Sequence, residues 1–560
     1  MKLLVPQAAA EQLLALPPQE AAARLDALPL EQRRELVLAL PAGRKRQDLV
    51  LLSSNPAELV QALPPEDFLL TVKAIGEVDA LELLELSSDE QALYLADLEL
   101  WTQEGLDLPR LALLNELFFR CSPQRLGRWL ESLDFELLAL MFERTLVAVD
   151  RDRLDELPDA LAARVISPDN YHVMVVKLGA DLDRVKQLVE YLYREHNQRF
   201  QALWGNLGTV PPAEIEQQAL RWRAGRLADR GWPDDEEARQ IFATRSPASL
   251  APTTLPSGWD NPPRAVMPAG AAGDNLLQQG MASLVDVAPV VAQLANLVNR
   301  VLVAEGWPPA DPDYLQRAAS RVHGHLEIGL RLLEAGDGAE AARLLTSIPL
   351  LHLLQAARHQ VELLARRARR LSQQAGPDRL RLLDPPLADI LAALSKRWPL
   401  HLPAENLEAR EFRTPTDLEV SARQLDLIEA YLELSRAAGV EPAALPESFP
   451  AGCHPSDREG LTFSALLLSQ FARQRLALAP AEMQPFPLSR WAELAATLPR
   501  TRAQLGEVLE GWSGDMLDRE LPGLPSLLKV LSGYLQELLS HPAGELDPRF
   551  VAGMWFQQDA

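Results

Sequence analysis

Cysteine is nearly absent from this chain: Cys121 and Cys453 are the two among 560 residues. Two thiols cannot build a disulfide framework or a four-cysteine zinc site, and so sparse a usage fits a reducing compartment. Long apolar runs are missing as well. The longest weakly charged stretch, between Asp286 and Arg300, is thirteen residues long and contains Gln293, Asn296 and Asn299. A membrane-spanning helix needs roughly 20. The opening Met1-Lys2-Leu3-Leu4-Val5-Pro6 is too short an apolar run for a signal-peptide core, and Pro6 interrupts it. No membrane span and a soluble, cytoplasmic chain are therefore expected. Basic residues fall short of acidic ones, 55 against 78, for a net charge of −23. That balance disfavours attraction to nucleic acid or to anionic membrane.

The common catalytic signatures are missing too. There is no G-x-x-x-x-G-K-[ST] phosphate loop, no G-x-G-x-x-G after a strand, no H-E-x-x-H, no G-x-S-x-G elbow and no Cys-x-x-Cys pair. No cofactor is expected, and the reading leans away from an enzyme. β-branched residues are sparse, so few strands are expected.

What is present is helix. Hydrophobic residues make up 47% and charged residues 24%, the balance of a folded chain, and the length allows two to four domains. Leu, Ala, Glu and Arg dominate at helical spacing. The 44 prolines sit mostly between the apolar-periodic segments, where each stops one helix or opens the next. Three N-terminal segments repeat this plan: "LLALPPQE" at 13–20, "LDALPLEQ" at 25–32 and "VQALPPED" at 60–67. In each, Leu closes a short helix, Pro pre-sets the next, and an acid or amide follows in its first turn, where the helix dipole favours an acid. Short helices of this kind bury their apolar faces by stacking on one another. Over roughly residues 10–100 the pattern resembles the helical N-terminal regulatory domain of MgtE-type magnesium transporters, and distantly the flagellar motor-switch helical repeats. The likeness implies a cation-sensing regulatory module.

Two further segments, "GRLADRGWPDDEEARQIF" (225–242) and "GLRLLEAGDGAEAARLL" (329–345), each run helix, Gly turn, acidic patch, Glu-Ala and a large apolar pair. Their order resembles the hairpin of tetratricopeptide-type repeats. Between them lies a stretch with prolines at 247, 252, 256, 262, 263 and 268 and glycines at 258, 270 and 273, which reads as an extended linker. Over nearly its full length the chain is similar to a bacterial family catalogued only as a domain of unknown function. Segments that carry the likeness are "LVQALPPEDFLLTVKAIGEVDALELL" (59–84), "DLELW" (97–101), "RWRAGRLADRGWPDDEEA" (221–238), "VHGHLEIGL" (322–330), "FRTPTDLE" (412–419) and "LDPRFVAGMW" (546–555). That resemblance implies architecture and no chemistry.

The expected fold is all-α: a stacked helical-hairpin, superhelical N-terminal body over 1–245, a Pro-rich linker over 246–274 and a second helical body over 275–560. Candidate site residues fall into three groups. His323 and His325 lie in a helical pattern whose Gly324 and Gly329 admit a close neighbour, and i, i+2 side chains point about 200° apart. With His352, His359 and Glu362 they form the candidate set for a metal-binding or enzymatic C-terminal site, His359 and Glu362 standing at i, i+3. The competing reading is a core histidine pair and an ordinary amphipathic helix. Seven arginines between Arg358 and Arg381, among them Arg366, Arg367, Arg369 and Arg370, face only Glu362 and Asp378 in that stretch. They are read as pairing with the acidic residues 51–110, within the chain or between copies. Arg221, Arg223, Arg226 and Arg230 form a second strip beside Trp222 and Trp232, a structural feature or a small anion site. The acidic run 77–107 reads as solvated helix faces. The leading expectation is a cytoplasmic scaffold or adaptor that binds another protein or self-associates.

Overall fold

The computed structural model describes residues 6–102, 105–252, 275–309, 311–403, 407–478, 483–542 and 545–558. It is predominantly all-α, and the described residues form two compact units. Unit 1 comprises residues up to 241 and 285–319; unit 2 comprises 242–252, 275–284 and 320–558. The segment read as a linker lies outside the described residues from 253 onward. Its described start holds one 3-10 turn, Pro247–Ser249.

Unit 1 opens with eight short helices: α1 (Pro6–Leu14), α2 (Pro18–Asp26), α3 (Leu30–Ala39), α4 (Arg44–Leu51), α5 (Pro56–Gln61), α6 (Pro65–Ile75), α7 (Leu81–Leu86) and α8 (Asp89–Glu99). Pro17, Pro29 and Pro64 stand at the N-caps of α2, α3 and α6, and Glu20, Glu31 and Glu66 in their first turns. The Ala-Leu-Pro segments therefore act as predicted, as helix punctuation. None of these helices buries its apolar face alone; α1 packs on α3, α4 on α6 and α6 on α8. A two-stranded ladder, β1 (Trp101–Thr102) with β2 (Gly105–Leu106), leads into α9 (Leu108–Phe119), α10 (Pro123–Ser132) and α11 (Phe135–Thr145). A small antiparallel sheet follows, with β3 (Leu146–Ala148) and β4 (Val165–Ile166) flanking β5 (Met174–Val176), and α12 (Asp159–Ala162) in the connection. Leu146 pairs with Val176 and Val165 with Val175. The unit continues through α13 (Leu182–Glu195), α14 (Asn197–Asn206), α15 (Pro212–Asp229) and α16 (Asp235–Arg239). Its core runs from Leu25 and Phe68 through Trp129 and Leu138 to Phe200.

In unit 2, α17 (Leu276–Ala282) precedes α18 (Ala288–Glu305), which belongs to unit 1. Then come α19 (Pro312–Leu332), in unit 2 from Ser320, and α20 (Gly338–Ser347). Next are α21 (Leu350–Arg381), α22 (Leu387–Ser395), α23 (Pro415–Ala437), α24 (Phe463–Arg475), α25 (Trp491–Thr497), α26 (Arg502–Gly514) and α27 (Leu524–Ser540). Gly376, at φ +71°, breaks α21 just before Pro377, because only glycine takes that backbone without strain and proline then restarts the helix. Three short strands form a mixed sheet: β8 (Phe556–Gln557) pairs antiparallel with β6 (Cys453–His454) and parallel with β7 (Phe486–Pro487). One core joins α21–α27 around Ile428, Tyr431, Phe471, Leu531 and Trp555.

The two tetratricopeptide-like segments are helix-turn-helix in outline, but their second helices find other partners. α20 packs principally on α17 and α16 on α18. Gly338 and Gly280 make the α17–α20 approach close: a Cβ at Gly338 would meet the Gln279 carbonyl at 3.0 Å, and one at Gly280 would meet the Ala341 Cβ at 2.9 Å.

Candidate functional site

Charge is largely consumed inside each unit. Along α15, Arg226 donates to both carboxylate oxygens of the buried Asp97, at 2.8 and 2.7 Å, and to Asp134 at 2.9 Å. Arg223 donates to the Asp97 carbonyl at 2.6 Å, and Arg230 pairs with Glu66 at 3.1 Å and with Glu90. Arg230 also lies over the Tyr94 ring, whose hydroxyl accepts from Trp232. This strip is thus the clamp that neutralises the acidic N-terminal helices, with Arg221 and Trp222 left exposed on its outer side. Elsewhere in the acidic run, Glu77 and Glu99 share Lys73 and Arg110, and Glu85 accepts from Ser122. Desolvation opposes the ionisation of Glu77, but the hydrogen bond and charge of Arg110, with Lys73, outweigh it and hold the carboxyl below its usual range.

Within the chain, the arginines of α21 pair with carboxylates close at hand. Arg367 pairs with Asp426 at 2.6 Å and Glu429 at 2.7 Å, Arg379 with Glu441 at 2.8 Å, and Arg366 and Arg369 both with Glu362. These acids lie on or beside α21 and α23, not in residues 51–110. The reason is proximity: helix packing sets α21 against α23, and carboxylates already at hand satisfy the guanidiniums. Arg370 is exposed.

Nor do the histidines meet. His325 is wholly buried; its Nδ1 lies 2.9 Å from the Arg321 carbonyl, its ring 5.0 Å from Trp398, and its Nε2 has no hydrogen bond. A carbonyl only accepts, so Nδ1 carries the proton and Nε2 is a bare lone pair. His323 is 5% exposed with neither ring nitrogen bonded. Burial pushes His323 down to about 4 and His325 to about 3. His352 and His359 are half-buried on α21, and the arginines occupy Glu362. Among the described residues no three His, Cys, Asp or Glu side chains are grouped to hold a metal ion. Gly324 and Gly329 do what their small size allows: a Cβ would stand 2.1 Å from the Phe412 carbonyl and 2.6 Å from the Leu353 carbonyl. Protein backbone, not a ligand, fills those approaches.

An open concave surface lies elsewhere, in unit 1. Asp107 caps α9 and Asp181 caps α13, each accepting from the backbone N–H three residues on. Both helices carry apolar residues at three- and four-residue spacing, while α11 is buried along 137–143. A furrow of about 520 Å³ lies between α9 and α13, with Met141 of α11 in its wall. Its lining is mainly apolar, including Leu108, Leu111, Phe119, Val185 and Leu188, and Leu178 at its edge is 67% exposed. Asn115 faces inward, its amide donating to the Met141 sulfur at 3.4 Å and its carbonyl accepting from the Trp129 indole at 3.1 Å. Two rim arginines hold the carboxylates of that end: Arg184 pairs with Glu116 at 2.6 Å and with Asp181 at 3.5 Å, and Arg144 with Glu216 at 3.0 Å.

A second depression of about 340 Å³ shares Phe119 and follows on along α13, past Cys121, Leu126 and Tyr191 to Glu195. Burial and the Glu85 charge push the Cys121 thiol up to about 12, far from a nucleophilic thiolate. Sequence reading missed this furrow. Its apolar lining residues are mostly ordinary helix apolars, and no spacing distinguishes a groove-facing Leu from a core one.

Residues 22–557 match the model of a family of unknown function (DUF6178). No curated protein and no solved structure matches the chain. No helix among the described residues is long and apolar enough to cross a membrane.

Proposed function

Since this chain belongs to the DUF6178 family of unknown function, a description that names no activity, we propose a role from the furrow itself: an adaptor that binds a partner protein. The observation that carries it is the apolar furrow between α9 and α13, with Leu178 exposed at its edge. An exposed apolar concavity in an otherwise charged surface marks a recognition site. The internal pairing of Arg226, Arg230, Arg367 and Arg379 favours a protein partner over a nucleic acid, whose phosphates need free cations. The two free cysteines suit a cytoplasmic setting.

The test replaces Leu178 with a photo-cross-linking benzoylphenylalanine in the full chain, in its native cells. One discrete protein adduct is expected on irradiation, and it should disappear when Ala112→Arg fills the furrow. Absence of an adduct, or an adduct indifferent to Ala112→Arg, overturns the adaptor role.

A further inference from the structure

Resting on that reading, we propose that the occupant of the furrow is an amphipathic helix of about four turns, with its cationic end over Glu190 and Glu195. Three features of the site lead there. The first is length. Both depressions lie along α13, whose 14 residues measure about 21 Å at 1.5 Å per residue, the span of a four-turn helix laid beside it.

The second is spacing. Arg184 lines the first depression and Tyr191 the second. Seven residues apart on one helix, they share a face and lie about 10 Å apart along its axis. Anchors at i and i+7 of a docked helix are about 10 Å apart, so one enters each depression. Apart from Leu178–Ala180 and Cys121 the lining residues belong to helices or their caps, and helix-in-groove docking is the mode that suits such walls.

The third is charge. At the Leu178 end the carboxylates of Glu116, Asp181 and Glu216 are each held by Arg184 or Arg144. At the other end Glu190 reaches Arg194 at 3.7 Å on an exposed surface, and Glu195 has no ion pair among the described residues. Glu131, which lies 3.2 Å from His196, adds its charge beside Tyr191. Carboxylates at one end are therefore engaged by arginines while Glu195 at the other is not, and a bound helix with Lys or Arg at one terminus finds its complement there.

Two fluorescein-labelled 16-residue peptides of identical composition test this by anisotropy against the full chain. One carries an unbroken Leu stripe with three Lys at one end; in the other the same lysines interrupt the stripe. Equal net charge removes the general attraction of an acidic protein for a cationic peptide. The striped peptide should bind at least tenfold more tightly. Glu190→Lys with Glu195→Lys should weaken it at least fivefold, whereas Glu82→Lys with Glu236→Lys, equal in charge but elsewhere on unit 1, should change it less than twofold. Equal binding of the two peptides, or equal losses in the two double variants, overturns the helix assignment. So does oleate binding that Ala112→Arg abolishes in the absence of any peptide preference, which assigns the furrow to an acyl chain. An adduct at Leu178 without the peptide preference overturns the helix alone; the preference without an adduct overturns the adaptor role alone.

Discussion

The buried His325 and the half-buried Arg226 show how differently two polar side chains weigh on the fold. A histidine held neutral inside the protein, and free to ionise when unfolded, contributes stability above its unfolded value near 6.5. That stability is lost as the pH falls toward the folded value, about 4 for His323 and about 3 for His325. Each costs about 1.4 kcal/mol per pH unit below 6.5. Urea unfolding of the chain between pH 7 and 4.5 should therefore show a steep acid limb. His323→Leu should flatten it by about one proton's worth between pH 6 and 4.5; an unchanged slope refutes this account. Arg226 is the opposite case, a charge that keeps another charge buried. Arg226→Ala strands Asp97, 4% exposed, at a cost of about 3–5 kcal/mol. Adding Asp97→Asn should restore a large part of it, so a double-mutant cycle should return coupling well above 1 kcal/mol.

At the level of helices, the glycines divide by what lies opposite them. In α19, Gly324 and Gly329 face backbone carbonyls at distances no Cβ tolerates, so Gly324→Ala should destabilise by about 2–4 kcal/mol. Gly511 in α26 has open space around its Cβ position and an ordinary φ, and Gly511→Ala should stabilise by about 0.5–1 kcal/mol. Thermal midpoints that move in the same direction for both would contradict the packing described. The pair also marks what can be read at this scale. The helices, their proline starts and the role of Gly324 as a close-approach point were legible in spacing alone. Which element approaches was not. The contact is the Phe412 carbonyl, 88 residues further along the chain, and the α20 hairpin likewise finds its partner in α17.

At the scale of the whole chain, each unit has its own core among the described residues, one built around Trp129 and Phe200, the other around Tyr431 and Trp555. Calorimetric unfolding should accordingly depart from a single two-state transition. Arg226→Ala should lower one component and Gly324→Ala the other; both variants shifting one common transition would refute independent cores.

Helical class follows from the sequence by itself, because periodicity, proline placement and first-turn acids are local properties that each segment carries with it. The surplus of acids, the want of catalytic signatures and the near-absence of cysteine are equally independent of fold. Partner choice is another matter. The arginines of α15 neutralise the N-terminal acids while those of α21 pair with Glu362, Asp426, Glu429 and Glu441. Composition cannot distribute charges that way, since an ion pair forms with whichever carboxylate packing brings within reach. The furrow along α13 belongs to the same category: a concavity is a property of three helices together, and only tertiary structure decides which apolar side chains stay uncovered.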